Sequence, residues 1–279
     1  MTSPTQSARR LFAQEVAAPD PEVDLARAAL LVAKEEYPQI PIERYLARLD
    51  LLAEEVKDRL DDERAPLVVL GQLLKTLYQE HGFRGNRDAY YDPRNSFLND
   101  VLDRGLGIPL TLAIVVVEVG RRLALPLEGV NFPGHFLVRY KGDTVDLLID
   151  PFDGGRIRFE DEAQELLDQV YGGMVRVQNS FLRRACKKDM LTRLLTNLKS
   201  VYTNVEDDVR ALAVVERLLL LRPKAVHEIR DRGKILARLG RVGEAIEELE
   251  TYLDYAPTAS DAQRIRSLVD DLREDGDRS

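Results

Sequence analysis

The sequence of 279 residues predicts a mostly helical α+β protein with a short antiparallel sheet and a C-terminal helical array. Three observations support this prediction. Apolar residues recur every three or four positions along most of the chain, as in amphipathic helices. Between His135 and Asp150 the apolar spacing changes to two, which is typical of strands. Pro223 and Pro257 then mark an internal repeat near the C-terminal end.

Composition limits the classes of function that fit this chain. Apolar residues make up 44% and charged residues 32%, which is typical of a globular protein, and the net charge is −8. An acidic chain without a basic block is a poor nucleic-acid binder. A single cysteine excludes a disulfide framework and a multi-cysteine zinc site, and three scattered histidines suggest no metal site. We expect no cofactor.

We expect a cytoplasmic protein with no membrane partner. The longest apolar helical run covers about ten residues, whereas a bilayer-spanning helix needs roughly 20. The polar residues 1–20 contain no long apolar core of the kind that targeting segments have, and we expect them to be flexible.

Proline and glycine bound a series of helices in the N-terminal part of the chain. Pro21 suits the first position of the first helix, and Pro41 and Pro66 open the next two. The helix that begins at Pro109 is apolar almost all round, which indicates a central, buried helix. The predicted helices span residues 20–38, 41–60, 66–81, 95–103, 109–123 and 160–171.

Residues 135–150 predict a β-hairpin. A two-residue loop at Gly142-Asp143 would pair Tyr140 with Val145 and His135 with Asp150. In this register one face is wholly apolar. On the other face the charges of Arg139 and Asp146 oppose each other, and Leu137 opposes Leu148. From Ser180 onward the pattern looks entirely helical.

The C-terminal part repeats with a period of 34 residues. At this offset Ala211 matches Ala245 and Val215 matches Leu249. A helix-turn-helix period of this length, with a proline after the second helix, resembles the tetratricopeptide repeat. Two repeats fit, and residues 261–273 would cap them. We therefore expect three segments, which are a flexible N-terminus (1–20), an α+β domain (21–178) and the helical array (179–279).

His135 and Asp150 are the residues in this chain with the clearest chemical meaning. An imidazole beside a carboxylate is the orienting half of a nucleophilic triad, since the carboxylate fixes the imidazole tautomer. The same pair also fits a purely structural hydrogen bond on a sheet. Spacing alone leaves both interpretations open.

The residues around this pair resemble a known fold. Residues 95–155 resemble the transglutaminase-like fold, a relative of papain-like proteases, in which a cysteine opens a buried helix, a histidine begins a strand, and a second strand ends in Asp-Pro. The matching strings are Gly107-Ile108-Pro109, Gly134-His135-Phe136 and Ile149-Asp150-Pro151. The longer string NSFLNDVLDRGLGIPLTLAIVVVEVGRRLALPLEGVNFPGHFLVRY, followed by LIDPFDGG, is similar to the bacterial SirB-type family, which joins such a core to tetratricopeptide repeats.

The chain departs from the fold's catalytic pattern at the nucleophile. The resemblance places the nucleophilic cysteine at or next to Pro109, which has no nucleophilic atom. Thr111 lies about 200° further round the helix and should point elsewhere. Cys186, the only thiol, follows the histidine instead of preceding it. Nearby basic residues could lower its pKa, but a semi-buried structural role fits better.

These observations favour a non-catalytic protein-interaction scaffold or regulator. Its partner would be a protein or peptide, and its pocket would be lined by Gly107, Pro109, Tyr91, Asn131, His135 and Asp150. The free amides at the start of the Pro109 helix could hold an anionic group there, unless the loop at 103–107 caps them. The alternatives are an acyl-transfer enzyme that uses His135 and Asp150, and a purely structural role for this pair.

Overall fold

The computed structural model describes residues 4–60, 64–159 and 162–277. Two compact units, Met1–Leu194 and Leu195–Ser279, divide the chain within one long helix. The helices in the described residues are α1 (Pro4–Ala17), α2 (Leu25–Glu36), α3 (Ile42–Asp58), α4 (Pro66–Leu74), α5 (Leu98–Arg104), α6 (Pro109–Arg122), α7 (Glu162–Tyr171), α8 (Lys187–Asn204), α9 (Asp208–Leu221), α10 (Val226–Arg238), α11 (Val242–Tyr255) and α12 (Ala262–Asp277). The predicted boundary between residues 178 and 179 stays a prediction.

The strands in the described residues are β1 (Arg84–Gly85), β2 (Leu106–Gly107), β3 (Leu127–Val130), β4 (Leu137–Lys141), β5 (Asp146–Asp150), β6 (Arg156–Arg158) and β7 (Arg184–Ala185). All of them lie in the first unit, where they form two sheets. A two-stranded parallel sheet pairs β1 with β2, and a five-stranded antiparallel sheet has the order β6-β5-β4-β3-β7. The mostly helical α+β class is therefore confirmed. Strand β7 lies where we expected only helix.

The N-terminal segment differs from our expectation of flexibility. Residues 1–3 lie outside the described residues, but Pro4–Ala17 form α1, which contacts α2. Ala8, Phe12 and Val16 recur every four residues and are buried, so this helix contributes an apolar stripe to the core. These three apolar residues in a mostly polar segment are therefore sufficient for α1 to pack against the core.

The helix that we predicted from residue 20 begins five residues later. Asp20–Glu22 form a 3₁₀ turn, and α2 starts at Leu25, because the side chain of Asp24 accepts a hydrogen bond from the backbone N–H of Arg27 (2.9 Å). The Asp20 carboxylate caps a different helix. It accepts the backbone N–H groups of Lys187 and Lys188 at the start of α8 (3.2 and 2.8 Å).

The sheet is covered on both faces by helices that the sequence predicted. Helix α6 contacts β3 and β4, and its Gly120 lies so close to Leu127 that no Cβ would fit there. Helix α7 packs Leu166 and Leu167 against Leu137 and Leu148 of the opposite face. Residues 160 and 161, at the predicted start of α7, lie outside the described residues.

Strands β4 and β5 form the predicted hairpin, but the predicted register is wrong by two residues. Val138 pairs with Ile149 and Tyr140 with Leu147. The loop has four residues instead of two, and it is closed by a hydrogen bond from the N–H of Gly142 to the carbonyl of Val145 (3.0 Å). Because the shift is even, every side chain keeps its predicted face.

The second unit contains the predicted repeat. Ala211 and Ala245 are both fully buried, as are Val215 and Leu249, so equivalent positions of α9 and α11 have equivalent roles. Helix α12 packs against α11 through Ile265 and Val269. No helix in the described ranges is long and apolar enough to cross a membrane.

Candidate functional site

His135 and Asp150 meet at one end of the five-stranded sheet. His135 lies two residues before β4, where a tight turn ends with a hydrogen bond from its backbone N–H to the carbonyl of Phe132 (3.0 Å). Asp150 is the last residue of β5. The Nε2 atom of His135 lies 2.8 Å from Oδ1 of Asp150. The predicted pair therefore forms even though the predicted register is wrong.

The turn before His135 depends on Gly134. This glycine has a φ of 71°, a left-handed conformation that residues with a Cβ rarely adopt. A Cβ here would also lie 2.7 Å from a methyl group of Val170 in α7. Gly134 thus allows the histidine turn and helix α7 to approach each other.

The Asp150 carboxylate is 2% exposed, and both of its oxygens have partners. Oδ1 also accepts the backbone N–H groups of Phe152 and Asp153 (3.1 Å each), and Oδ2 accepts Nε of the buried Arg158 (3.2 Å). Burial alone would raise the pKa of Asp150. The hydrogen bond from His135, the charges of His135 and Arg158, and the N–H of Asp153 outweigh burial and lower this pKa.

An ionised Asp150 determines which nitrogen of His135 carries a proton. A carboxylate only accepts hydrogen bonds, so Nε2 must be the donor and Nδ1 of the neutral ring is an acceptor. The His135 side chain is 14% exposed. The ring is therefore held in one orientation while part of it stays accessible.

Aromatic side chains connect the pair to the protein surface. The ring of Phe152 lies edge-on to His135 (6.1 Å between centroids) and to Tyr90 (5.9 Å), and Tyr90 contacts Tyr91 (5.3 Å). Phe152 also packs on Gly85, where a Cβ would lie 2.5 Å from its ring. Tyr91 is 68% exposed and forms the outer end of this row. We expected Tyr91 to line the pocket, and this prediction is wrong.

A cavity of about 390 Å³ opens beside His135 and Asp150. Helix α7 forms one of its walls, a role that we did not assign from the sequence. An amphipathic helix after the Asp-Pro turn was visible in the sequence, but its position over the sheet depends on tertiary contacts. The lining residues are Arg87, His135, Asp150, Phe152, Asp153, Arg156, Arg158, Glu165, Leu166, Gln169 and Val170.

The start of α6 does not line this cavity. Pro109 occupies the first turn and is buried, and Gly107 uses its carbonyl to accept the N–H of Asn86 (3.0 Å). Thr111 is fully buried, where its hydroxyl donates to the carbonyl of Asn95 (2.7 Å) and accepts the N–H of Ile108 (3.2 Å). The threonine hydroxyl is thus engaged at the start of α6, and Thr111 is not among the residues that line the cavity.

Asn131, the remaining predicted pocket residue, also lies outside the lining. Its side-chain oxygen accepts a hydrogen bond from Arg193 (3.2 Å). Of the predicted pocket residues, the structure brings His135 and Asp150 together in the cavity. The other four, Gly107, Pro109, Tyr91 and Asn131, are not among the lining residues.

Cys186 lies outside the His135 cavity. It precedes α8, and its backbone N–H donates to Asp189 (3.2 Å). Burial, together with hydrogen bonds to the carboxylates of Asp189 and Asp20, raises the pKa of the Cys186 thiol to about 11. The suggestion that nearby lysines and arginines lower this pKa is therefore wrong, because the two carboxylates are the closer charges.

The described residues contain no group of three or more His, Cys, Asp or Glu side chains arranged to hold a metal ion. His81 lies 2.7 Å from Glu55 and forms an exposed hydrogen-bonded pair with it.

The buried helix, the sheet and the His135–Asp150 pair define a transglutaminase-like domain followed by a tetratricopeptide array. Family models agree with this class. Residues 43–196 match the transglutaminase-like superfamily, and residues 198–270 match the tetratricopeptide repeat. The chain belongs to the bacterial family of UPF0162 and SirB1-type proteins, as predicted.

Three relatives illustrate the family. A UPF0162 protein of Xylella fastidiosa (strain Temecula1) is 37% identical over 91% of both chains. A UPF0162 protein of Pseudomonas aeruginosa is 36% identical over 81% of both chains. Protein SirB1 of Salmonella typhimurium is 30% identical over 81% of this chain and 83% of its own.

Proposed function

We propose that this protein is a non-catalytic, cytoplasmic interaction protein that binds a protein or peptide partner through the His135 cavity and the tetratricopeptide unit. The observation that carries this proposal is the composition of the cavity lining. It contains the histidine and the carboxylate of an acyl-transfer site, but none of the described residues that line it carries a thiol or a hydroxyl. A base without a nucleophile can bind a ligand but cannot form an acyl intermediate.

Two further observations support this proposal over acyl transfer. Pro109 stands where we place the nucleophile of the fold, and Thr111 uses its hydroxyl to cap α6. Cys186 does not line the cavity, and its raised pKa keeps the thiol protonated near neutral pH. An enzyme would therefore need a nucleophile from outside this cavity.

The cavity retains features of a binding site. Its volume of about 390 Å³ lies within the range of small-ligand pockets, and it combines the apolar Phe152, Leu166 and Val170 with several polar groups. Arg87, with a side chain that is 66% exposed, holds its guanidinium 5.0 Å from the centre of the Phe152 ring. A peptide offers both the apolar and the hydrogen-bonding groups that such a lining requires.

Site-specific photocrosslinking in cells tests this proposal. A photoreactive amino acid replaces Gln169, which lines the cavity, and in a matched control it replaces Gln79, an exposed residue outside the lining. We expect a crosslinked partner from position 169 but not from position 79. We expect His135→Ala to abolish the crosslink with only a small decrease in Tm, because Asp150 keeps its hydrogen bonds from Arg158 and two backbone N–H groups. Fractionation of the same cells would place the complex in the cytoplasm.

Two results would contradict the proposal. The first is His135-dependent incorporation of a fluorescent amine into a protein substrate, which would indicate acyl transfer. The second is a large loss of stability in His135→Ala while the crosslink persists, which would identify the pair as a structural element only.

A further inference from the structure

Strand β6 forms one edge of the five-stranded sheet and also borders the His135 cavity. It lies outermost, next to β5, and two of its three residues, Arg156 and Arg158, line the cavity. The residue between them, Ile157, is 42% exposed. An edge strand with open backbone groups can pair with a further strand. The backbone of Ile157 therefore determines whether this edge can accept one.

The hydrogen bonds of β5 show that the backbone groups of Ile157 point away from the sheet. In an antiparallel pair, successive residues direct their N–H and C=O groups alternately toward one neighbouring strand and the other. The hydrogen bond that closes the β4–β5 hairpin ends at the carbonyl of Val145, whereas the carbonyl of Asp150 accepts the N–H of Gly155 on the β6 side (3.0 Å each). Ile149 lies an even number of residues from Val145, so its groups face β4. Its partner in β6 is Ile157, whose groups must then face outward.

Both backbone groups of Ile157 are open in the part of the chain that the structure describes. Across these residues, no hydrogen bond from a turn, a loop or a side chain reaches its N–H or its C=O. Phe159, two residues further on, differs. Its N–H donates to Oε2 of Glu162 (2.9 Å), and its carbonyl accepts the N–H of Glu162 (3.1 Å). The edge beside the cavity thus offers one donor and one acceptor at a single residue.

We infer that an extended peptide segment of the partner binds along β6 as a further strand, with an apolar residue opposite Ile157. A helix cannot pair with this edge, because its own backbone groups are already hydrogen-bonded. The exposed side chain of Ile157 favours an apolar cross-strand neighbour. Because side chains alternate between faces, the two flanking peptide residues lie on the face of Arg156 and Arg158, beside the cavity. The inference rests on the proposed function and adds the conformation and the contact strand of the bound partner.

A displayed library of random peptides, each about ten residues long, supplies a probe that can span a typical strand. Selection uses the unmodified full-length protein, and Ile157→Pro serves for counter-selection. Proline lacks the outward N–H, and the hydrogen bonds between β6 and β5 do not use that group, so the sheet should stay intact. Circular dichroism and Tm check that the variant folds. Ile157→Ala is the matched control, because it shortens the side chain but keeps the N–H.

Fluorescence anisotropy of the labelled selected peptides measures their Kd. We expect Ile157→Pro to raise the Kd at least about tenfold, because it removes a hydrogen bond and places the proline ring against the incoming strand. Ile157→Ala should raise the Kd less than about fivefold, since only a cross-strand side-chain contact is weakened.

N-methylation of the peptide backbone gives a second measurement, which does not depend on any protein variant. A paired peptide residue directs its N–H to the carbonyl of Ile157, and the two neighbouring N–H groups point away from β6. Methylation of that one N–H should raise the Kd at least about tenfold, and methylation of either neighbour less than about threefold. If Ile157→Pro lowers the Tm substantially, this scan decides the question alone.

Three results would overturn the inference. One is that no selected peptide distinguishes the unmodified protein from a folded Ile157→Pro variant. Another is an equal effect of methylation at all peptide positions. The third is a dimer of the unmodified protein that becomes a monomer in Ile157→Pro, since a second copy of the chain would then occupy β6. The crosslink from position 169 tests the cavity by itself, so its persistence without an edge-binding peptide would distinguish failure of this inference from failure of the proposed function.

Discussion

Replacing Asp150 by asparagine is the most informative single change in the first unit. The substitution preserves the size of the side chain but removes its negative charge. One of the two positions now occupied by carboxylate oxygens becomes an NH₂ group, which cannot accept hydrogen bonds. Either the buried Arg158 loses its acceptor at Oδ2, or His135 and two backbone N–H groups lose theirs at Oδ1.

The expected loss of stability is about 3 kcal/mol. Removal of one partner from a buried ion pair typically costs 3–5 kcal/mol, because it leaves the other charge uncompensated. The lower end of this energy range applies to Asp150→Asn, since Arg158 keeps a hydrogen bond to Asp153 (3.1 Å). For a unit of this size about 3 kcal/mol corresponds to a decrease in Tm of about 6–12 °C.

The pH dependence of this loss has a definite sign. The folded-state pKa of Asp150 lies below its ordinary value of 3.8. Its stabilising contribution is therefore complete above about pH 3.8 and is lost as the pH falls through the folded-state pKa. The difference in unfolding free energy between the two proteins should therefore shrink as the pH falls below about pH 4.

Thermal and urea unfolding, followed by circular dichroism, measure the overall loss. Hydrogen exchange of peptides that cover β4 and β5 then reports on the first unit itself. The control is Asp146→Asn, which removes a carboxylate that pairs with Arg139 but is 42% exposed, so its cost should not exceed about 1 kcal/mol. Equal costs for the two variants, or a cost below about 1 kcal/mol for Asp150→Asn, would refute the reasoning.

Three other substitutions test particular contacts. Thr111→Val removes the buried hydroxyl that donates to the carbonyl of Asn95, and should lower the unfolding free energy by about 1–3 kcal/mol in urea titrations. Asp20→Asn removes a carboxylate beside the Cys186 thiol, so the thiol pKa should fall below about 11 in alkylation rates measured against pH. Ala124→Gly replaces a residue with a φ of 56°, and should raise the unfolding free energy by about 0.5–1 kcal/mol.

Each of these predictions has a result that would contradict it. An unchanged stability in Thr111→Val would mean that the hydroxyl contributes nothing to the start of α6. A Cys186 pKa that stays the same or rises in Asp20→Asn would remove Asp20 as a cause of the shift. A lower stability in Ala124→Gly would mean that the gain in chain entropy on unfolding exceeds the relief of backbone strain.

The sequence by itself determined the features that depend on local periodicity. The spacing of Ala211, Ala245 and their neighbours predicted the repeat, since helices that stack at a fixed period must bury equivalent positions. The run of apolar residues after Pro109 predicted a buried helix, and helix α6 is buried. The two-residue spacing around residues 135–150 predicted the faces of the hairpin, and with them the meeting of His135 and Asp150.

Only the tertiary structure decided the contacts between distant segments. The side chain of Asp20 caps α8 and faces Cys186, and helix α7 forms a wall of the cavity through residues such as Gln169. A slip of two residues in the hairpin preserves every face, so alternation could not distinguish the two registers. Periodicity reports which side of an element is buried. The segments that cover this side are set by the tertiary fold, because a contact between residues distant in the sequence forms only when packing has positioned both of them.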